Sequence, residues 1–162
     1  RRLYEQTMNN LDAAPEYYFP ERYYDRLRGG FFPDGQTVLL EAIAEDKTAA
    51  SLLLFLAGPY AHYHLSARNH ACARLAPVNL LLDFAVRQAI RHGATLMHLG
   101  GGMSNDDSLM RFKAGFSPLR GPFHIGLKIH DHMVYDKLCR AWEQRYPEKT
   151  ERCRHLLLRY RR

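Results

Sequence analysis

Cysteine is scarce in this chain of 162 residues, and Cys72, Cys139 and Cys153 are the whole complement. Their odd number, wide spacing and lack of a CxxC pair speak against a disulfide framework or a cysteine-based zinc module, and favour reduced thiols in a cytoplasmic protein. Long hydrophobic runs are missing as well: no apolar stretch approaches the roughly 18 residues that a membrane-spanning helix needs. The nine histidines occur without HxxxH or HExxH spacing, so no zinc signature accompanies them. Neither a GxGxxG nor a P-loop motif is present. Nor is there an internal repeat, a low-complexity tract or a linker, and the chain reads as one domain, 1–162. Acidic residues are in deficit, 17 against 23 lysines and arginines, which leaves a net charge of +6 and favours an anionic partner. The start, Arg1-Arg2-Leu3-Tyr4-Glu5, is amphipathic and has neither an initiator Met nor a signal peptide, as expected of a fragment or excised domain.

What is present is ample core material, 46% apolar residues, arranged in mixed α and β periods. A helix is expected over 4–14, with Tyr4, Met8 and Leu11 on one face and a stop near Pro15. A second is expected over 20–28, punctuated by Gly29-Gly30. Strands follow at 37–44, 48–55 with Leu56, and 61–66. Glu45-Asp46-Lys47 makes a tight hairpin and Gly58-Pro59 separates the next pair, so three consecutive antiparallel strands result. Over 78–92, Leu81, Leu82, Ala85, Val86, Ala89 and Ile90 recur at three- and four-residue spacing, the strongest helical pattern here, with Pro77 at its entrance and Gly93 at its exit. The run 95–99, between Gly93 and Gly100, reads as a strand buried on both faces. A short helix at 108–113, an alternating strand at 123–129 and a helix capped by Asp131 and stopped at Pro147 complete the order.

The segment from His98 to Phe116 is the most informative. A strand runs into Gly100-Gly101-Gly102, where absent Cβ atoms let a ligand approach the main chain. Asn105, Asp106, Asp107 and Ser108 then offer caps for the helix that carries Phe112 and Lys113. A general-base role for Asp106 or Asp107 competes with this simpler capping role. His64 and Ser66 lie two apart on one strand and so share a face, along with His62, and His64 is a candidate base. Asn79 orders the first turn of the long helix. No Ser-His-Asp or Cys-His arrangement follows from the spacing. The basic tail of Lys149, Arg152, Arg154, Arg159, Arg161 and Arg162 suits either a phosphate backbone or a solvated surface, and Leu156-Leu157-Leu158 suggests that part of it packs.

The element order resembles the GNAT-type acyltransferase fold, an α/β (α+β) architecture with a mixed, mostly antiparallel central sheet flanked by helices. In that fold two neighbouring strands splay apart where the acyl donor inserts, and here those strands are 61–66 and 95–99. Tyr63-His64-Leu65-Ser66-Ala67, Ala76-Pro77-Val78-Asn79-Leu80-Leu81, His98-Leu99-Gly100-Gly101-Gly102 and above all Phe112-Lys113-Ala114-Gly115-Phe116 resemble the C-terminal domain of FemAB-type proteins. Tyr4-Glu5-Gln6-Thr7-Met8 and Tyr17-Tyr18-Phe19 extend the likeness over nearly the whole chain. FemAB-type proteins include the peptidoglycan interpeptide-bridge aminoacyltransferases of the cell wall.

The resemblance implies a transferase that moves an aminoacyl or acyl group from an activated donor, aminoacyl-tRNA, to a primary amine such as that of a peptidoglycan precursor. It implies no tightly bound cofactor and an upstream GNAT-like domain in a larger two-domain protein, and the histidine and cysteine spacing adds no metal site. It marks Lys113 as catalytic, a cation near donor and acceptor, and His64 is the candidate catalytic base beside it. Ser66, Asn79, His98, Gly100, Gly101, Gly102 and Phe112 would bind substrate. CoA-dependent GNAT enzymes carry an Arg/Gln-x-x-Gly-x-Gly/Ala loop whose amides bind pyrophosphate. This chain has Asn69-His70-Ala71-Cys72-Ala73-Arg74-Leu75-Ala76 there, without glycine. A CoA-dependent N-acyltransferase acting on a small molecule, and a non-catalytic GNAT-like binding module, are the alternatives.

Overall fold

The computed structural model describes residues 1–29, 35–102, 107–122, 124 and 126–161. Gly30, Phe31, Phe32, Pro33, Asp34, Met103, Ser104, Asn105, Asp106, Phe123, Ile125 and Arg162 lie outside the described residues. The chain forms two compact units, Arg1–Pro118 and Leu119–Arg162.

The first unit is built on a four-stranded sheet of order β1-β2-β3-β4, with β1 Gly35–Ala44, β2 Lys47–Ala57, β3 Tyr60–Arg68 and β4 Leu96–His98. The first three strands pair antiparallel and β4 joins parallel to β3. The β1–β2 turn is only two residues, Glu45 and Asp46, both at positive φ (50° and 58°), a turn whose twist matches that of the flanking strands. The β2–β3 turn places Gly58 at φ 52° ahead of Pro59.

Alternation along β2 sends Ala50, Leu52, Leu54 and Leu56 to one face, where they meet Leu81, Leu82, Ala85 and Ala89 of helix α3, Pro77–Arg91. Ala61 and Tyr63 of β3 and Ala42 of β1 complete this core, with Phe112 packed at its margin. Helices α1 (Arg2–Asn10) and α2 (Glu21–Arg28) precede the sheet, and α1 packs on β3, where the Thr7 hydroxyl accepts the Arg68 amide at 3.1 Å. Helix α4, Ser108–Ala114, ends the order of elements in this unit.

Three expectations need correction. The first helix stops at Asn10 rather than Ala14, because Asp12 turns to φ 48°, and Leu11 is left exposed instead of joining the apolar face. The run 95–99 is not buried on both faces: β4 is a three-residue edge strand whose Leu96 and His98 are exposed, and only Met97 packs toward the core. A short apolar run reports hydrophobicity without saying how many sides are covered. The strand expected at 123–129 is absent among the described residues of that segment, His124 and 126–129, and Phe123 and Ile125 fall outside them. Alternation forms a strand only where a neighbouring edge supplies ladder bonds.

In the second unit, α5 (His132–Arg145) is capped by Asp131, whose Oδ1 accepts the Val134 amide at 3.0 Å. Helix α6, Pro147–Cys153, follows, and Cys139, Trp142 and Cys153 are buried. Arg159 of the basic tail is a structural cation: it binds Glu143 at 3.0 Å and donates to the Tyr135 hydroxyl at 2.8 Å.

Neighbouring leucines of α3 test this packing. Leu82 has 0% exposure and Leu80 63%, so Leu82→Ala is expected to cost about 2–5 kcal/mol in urea unfolding and Leu80→Ala within about 0.5 kcal/mol. Equal costs would contradict the assigned face.

Candidate active site

The site begins where a ladder ends. β3 and β4 pair through only three residue pairs, Tyr60 with Leu96, Ala61 with Met97 and His62 with His98. β3 then continues to Arg68 while β4 stops, so the strands part after the histidine rung. The chain leaves β4 through Leu99 into Gly100, whose φ of 75° suits glycine.

A bulge sits beside this parting. Leu53 pairs with Leu65 and Leu54 with Tyr63, which leaves His64 as the extra residue of β3. The bulge shifts the side-chain alternation, and His64 and Ser66 do not share a face as their spacing implies. Ser66, opposite Leu52, falls on the core side with Tyr63, whose hydroxyl it hydrogen-bonds. His64 goes with His62 to the other side, where it stacks on Phe55 at 4.2 Å between ring centroids and its Nε2 is bonded to the Tyr23 hydroxyl of α2. Burial, reinforced by repulsion from His62, pushes the His64 imidazole down to about 4. The neutral ring is therefore its form at pH 7.

His62 and His98 meet edge to edge across the last rung, with their Nδ1 atoms 2.9 Å apart and their ring centroids 5.0 Å apart. Burial lowers the His62 pKa, and His98 and Lys113 repel its protonated form further, although a hydrogen bond to the His98 backbone opposes the shift. They line a cavity of about 370 Å³ with Phe55, Tyr60 and Leu96. The role of His62 is not legible in the sequence, since a contact 36 residues apart has no local signal.

Lys113 is the one buried charged side chain among the described residues, 8% exposed. Asp107 caps α4 through Oδ1, which accepts the Met110 amide at 2.7 Å, and this sets the helix so that Lys113 faces inward. Its Nζ donates to the Gly101 carbonyl at 2.7 Å and lies 5.6 Å from the Tyr63 ring centroid. Desolvation lowers its pKa, with Asp107 pulling the other way. A Cβ on Gly100 would stand 3.0 Å from this Nζ, and one on Gly102 2.3 Å from the Asp107 carboxylate. The glycines thus let the loop close over the lysine and the cap.

A larger cavity, about 640 Å³, gathers Tyr63, Ser66 and Arg68 of β3, His70, Phe112 and Leu109 of α4, and the start of α3 at Pro77, Val78 and Asn79. The structure thus brings Ser66, Asn79 and Phe112 together there. Lys113 and Gly100 to Gly102 gather at the parting strands, and His64 and His98 on the histidine side. The segment ahead of α3 is closed on itself: a 3-10 helix, His70–Leu75, in which the Ala71 amide bonds Asn69 Oδ1, the Cys72 amide the Asn69 carbonyl and the Ala76 amide the Ala73 carbonyl. Ala76 then takes φ 47° to enter the helix.

Two measurements check this geometry. Gly102→Ala is expected to displace the Asp107 cap and cost about 1 kcal/mol, whereas Gly101→Ala, with nothing within 4 Å of its Cβ, costs less; a reversed order in thermal unfolding would contradict the arrangement. Between the ordinary histidine value of 6.5 and about 4, the unfolded chain binds a proton at His64 that the folded chain does not. Stability is accordingly full above this window and falls as pH drops through it. His64→Gln should remove part of the loss between pH 7 and 4.5, roughly 1 kcal/mol after allowing for the ring's partial exposure. An unchanged loss would contradict the shift.

Comparison with known proteins adds to the geometry. No curated protein matches the chain. The crystal structure of a transcriptional regulator from Bacillus halodurans C-125 is similar, at 18% identity over 74% of this chain and 78% of that one, with a TM-score of 0.49. That likeness is too slight to say anything of function. The family model described as acetyltransferase (GNAT) domain matches residues 1–114. That match runs from α1 through α4 and takes in the parted strands, the glycines and Lys113, and the chain belongs to the acetyltransferase (GNAT) domain family.

Proposed function

We propose that the Arg1–Pro118 unit is an N-acyltransferase of FemAB type, which moves an aminoacyl group from aminoacyl-tRNA to a primary amine such as that of a peptidoglycan precursor. The observation that carries this reading is the parting of β3 and β4 after His62 and His98, with the buried ammonium of Lys113 held beside it on the Gly101 carbonyl. The donor enters the gap, where its carbonyl carbon meets the acceptor nitrogen. Attack turns the carbonyl oxygen into an oxyanion, and a cation with little water around it stabilises that charge far better than an exposed lysine would. Lys113 takes this role. Gly100, Gly101 and Gly102 let the donor approach the main chain, Ser66, Asn79 and Phe112 line its path in the larger cavity, and His98 stands on the other side of the parting.

The choice of donor rests on the segment before α3. In the usual CoA arrangement successive free amides of a glycine loop take the pyrophosphate. Here the Ala71, Cys72 and Ala76 amides are already bonded within their own short helix. Arg68 and His70 at the larger cavity, with the positive end of α3, still suit an anionic donor such as the 3′ end of an RNA. His64, neutral and bonded to Tyr23, holds the bulge in place and positions the neighbouring histidines.

In the full-length protein Lys113→Met, which keeps the buried stem, is expected to lower turnover more than tenfold with charged tRNA as donor, with circular dichroism unchanged. Unaltered turnover would remove Lys113 from the reaction. Turnover of acetyl-CoA alone, with charged tRNA inert, would overturn the choice of donor.

A further inference from the structure

Acyl transfer to an amine has a proton requirement that Lys113 does not meet. A primary amine at neutral pH is mostly an ammonium, which has no lone pair for attack. It must give one proton away before the C–N bond forms and a second as the donor bond breaks. The donor's leaving oxygen or sulfur takes the second. The first needs a neutral base at the parting strands.

We infer that His62 and His98 act as a single proton-accepting unit at the mouth of the gap, resting on the acyl-transfer reading above. Their Nδ1 atoms are 2.9 Å apart, a distance that places one proton between them. A neutral imidazole carries one N–H. The ring that donates through Nδ1 therefore has a bare Nε2, and the ring that accepts at Nδ1 carries its proton on Nε2. The two rings are locked in opposite tautomers, so the pair presents one acceptor and one donor away from the shared proton. Both rings line the 370 Å³ cavity, with Phe55, Tyr60 and Leu96 as its apolar walls, where an amine on an apolar or ring-bearing carrier fits.

When the bare Nε2 takes the ammonium proton, that ring becomes an imidazolium whose Nδ1–H still points at a neutral partner. The charge is shared by a charge-assisted hydrogen bond, and a second proton is resisted because two imidazoliums would face each other. The amine then attacks, the C–N bond forms, the ester or thioester bond breaks, and the pair passes its proton to water. The titratable groups facing the pair among the described residues are His64 and Tyr60 on β3 and Lys113 on α4, while β2 supplies the uncharged Phe55 ring. The ammonium of Lys113 opposes double protonation. His64 is already neutral, since its own pKa is about 4.

Ring nitrogen NMR on the uniformly 15N-labelled full chain tests this without any substrate, with His62→Gln and His98→Gln supplying the assignments. At pH 8 one ring is expected as the Nδ1–H tautomer and the other as Nε2–H. On acidification they should take up one proton together, and removal of either histidine should abolish this joint uptake. Two rings in the same tautomer, or two independent titrations in the intact chain, would overturn the pair. With an active donor and acceptor in hand, the acidic limb of the kcat/KM profile should move in both variants. An acidic limb untouched in His98→Gln would overturn the proton-accepting role. Failure of every donor to react would sink the acyl-transfer reading instead, and the ring signals would still decide the pair.

Discussion

The length of one parallel ladder governs this molecule. β4 contributes three residues and no more, so its bonds to β3 end at His62 and His98 while β3 runs on to Arg68. A longer β4 would satisfy the backbone groups of both strands and close the sheet. By stopping, it leaves strand walls facing a gap, and a substrate able to hydrogen-bond with them gains what the missing ladder would have supplied. The glycines after β4 and the bulge at His64 are the local means by which the two chains diverge.

The chemistry is arranged around that gap by burial. α4 is short, yet its Asp107 cap and the absence of side chains at Gly100 and Gly102 bring Lys113 into the interior. Desolvation lowers the pKa of this lysine and also of His62 and His64. One environment thus leaves imidazoles neutral and keeps an ammonium that is poorly hydrated. Proton acceptance and oxyanion stabilisation need these two states side by side.

Local patterns made most of the fold legible. The three- and four-residue spacing from Leu81 to Ile90 marked α3, and the bulk of β1 to β3 followed from apolar runs between turn residues. Asp107 and Asp131 were readable as caps because capping is decided within three residues. Lys113 stood out through the Phe112-Lys113-Ala114-Gly115-Phe116 resemblance, and its burial added a physical reason for a role. The bulge at His64 was not legible, since it depends on how β2 pairs with β3, and with it went the reading that His64 and Ser66 share a face. The His62–His98 contact joins residues of two strands with α3 between them, and such a contact appears only once the sheet is assembled. Exposure of β4 escaped for a similar reason, because coverage of a strand is set by its neighbours.

The central claim is that the donor occupies the space between the parted strands beside Lys113. The most direct measurement is amide NMR of the full chain titrated with a non-hydrolysable amide analogue of the aminoacylated 3′ end of tRNA. The account predicts that the largest shifts cluster at 63–66, 98–102 and 111–114. Saturable binding that leaves those amides unmoved, and shifts residues of α5 or α6 instead, would contradict it.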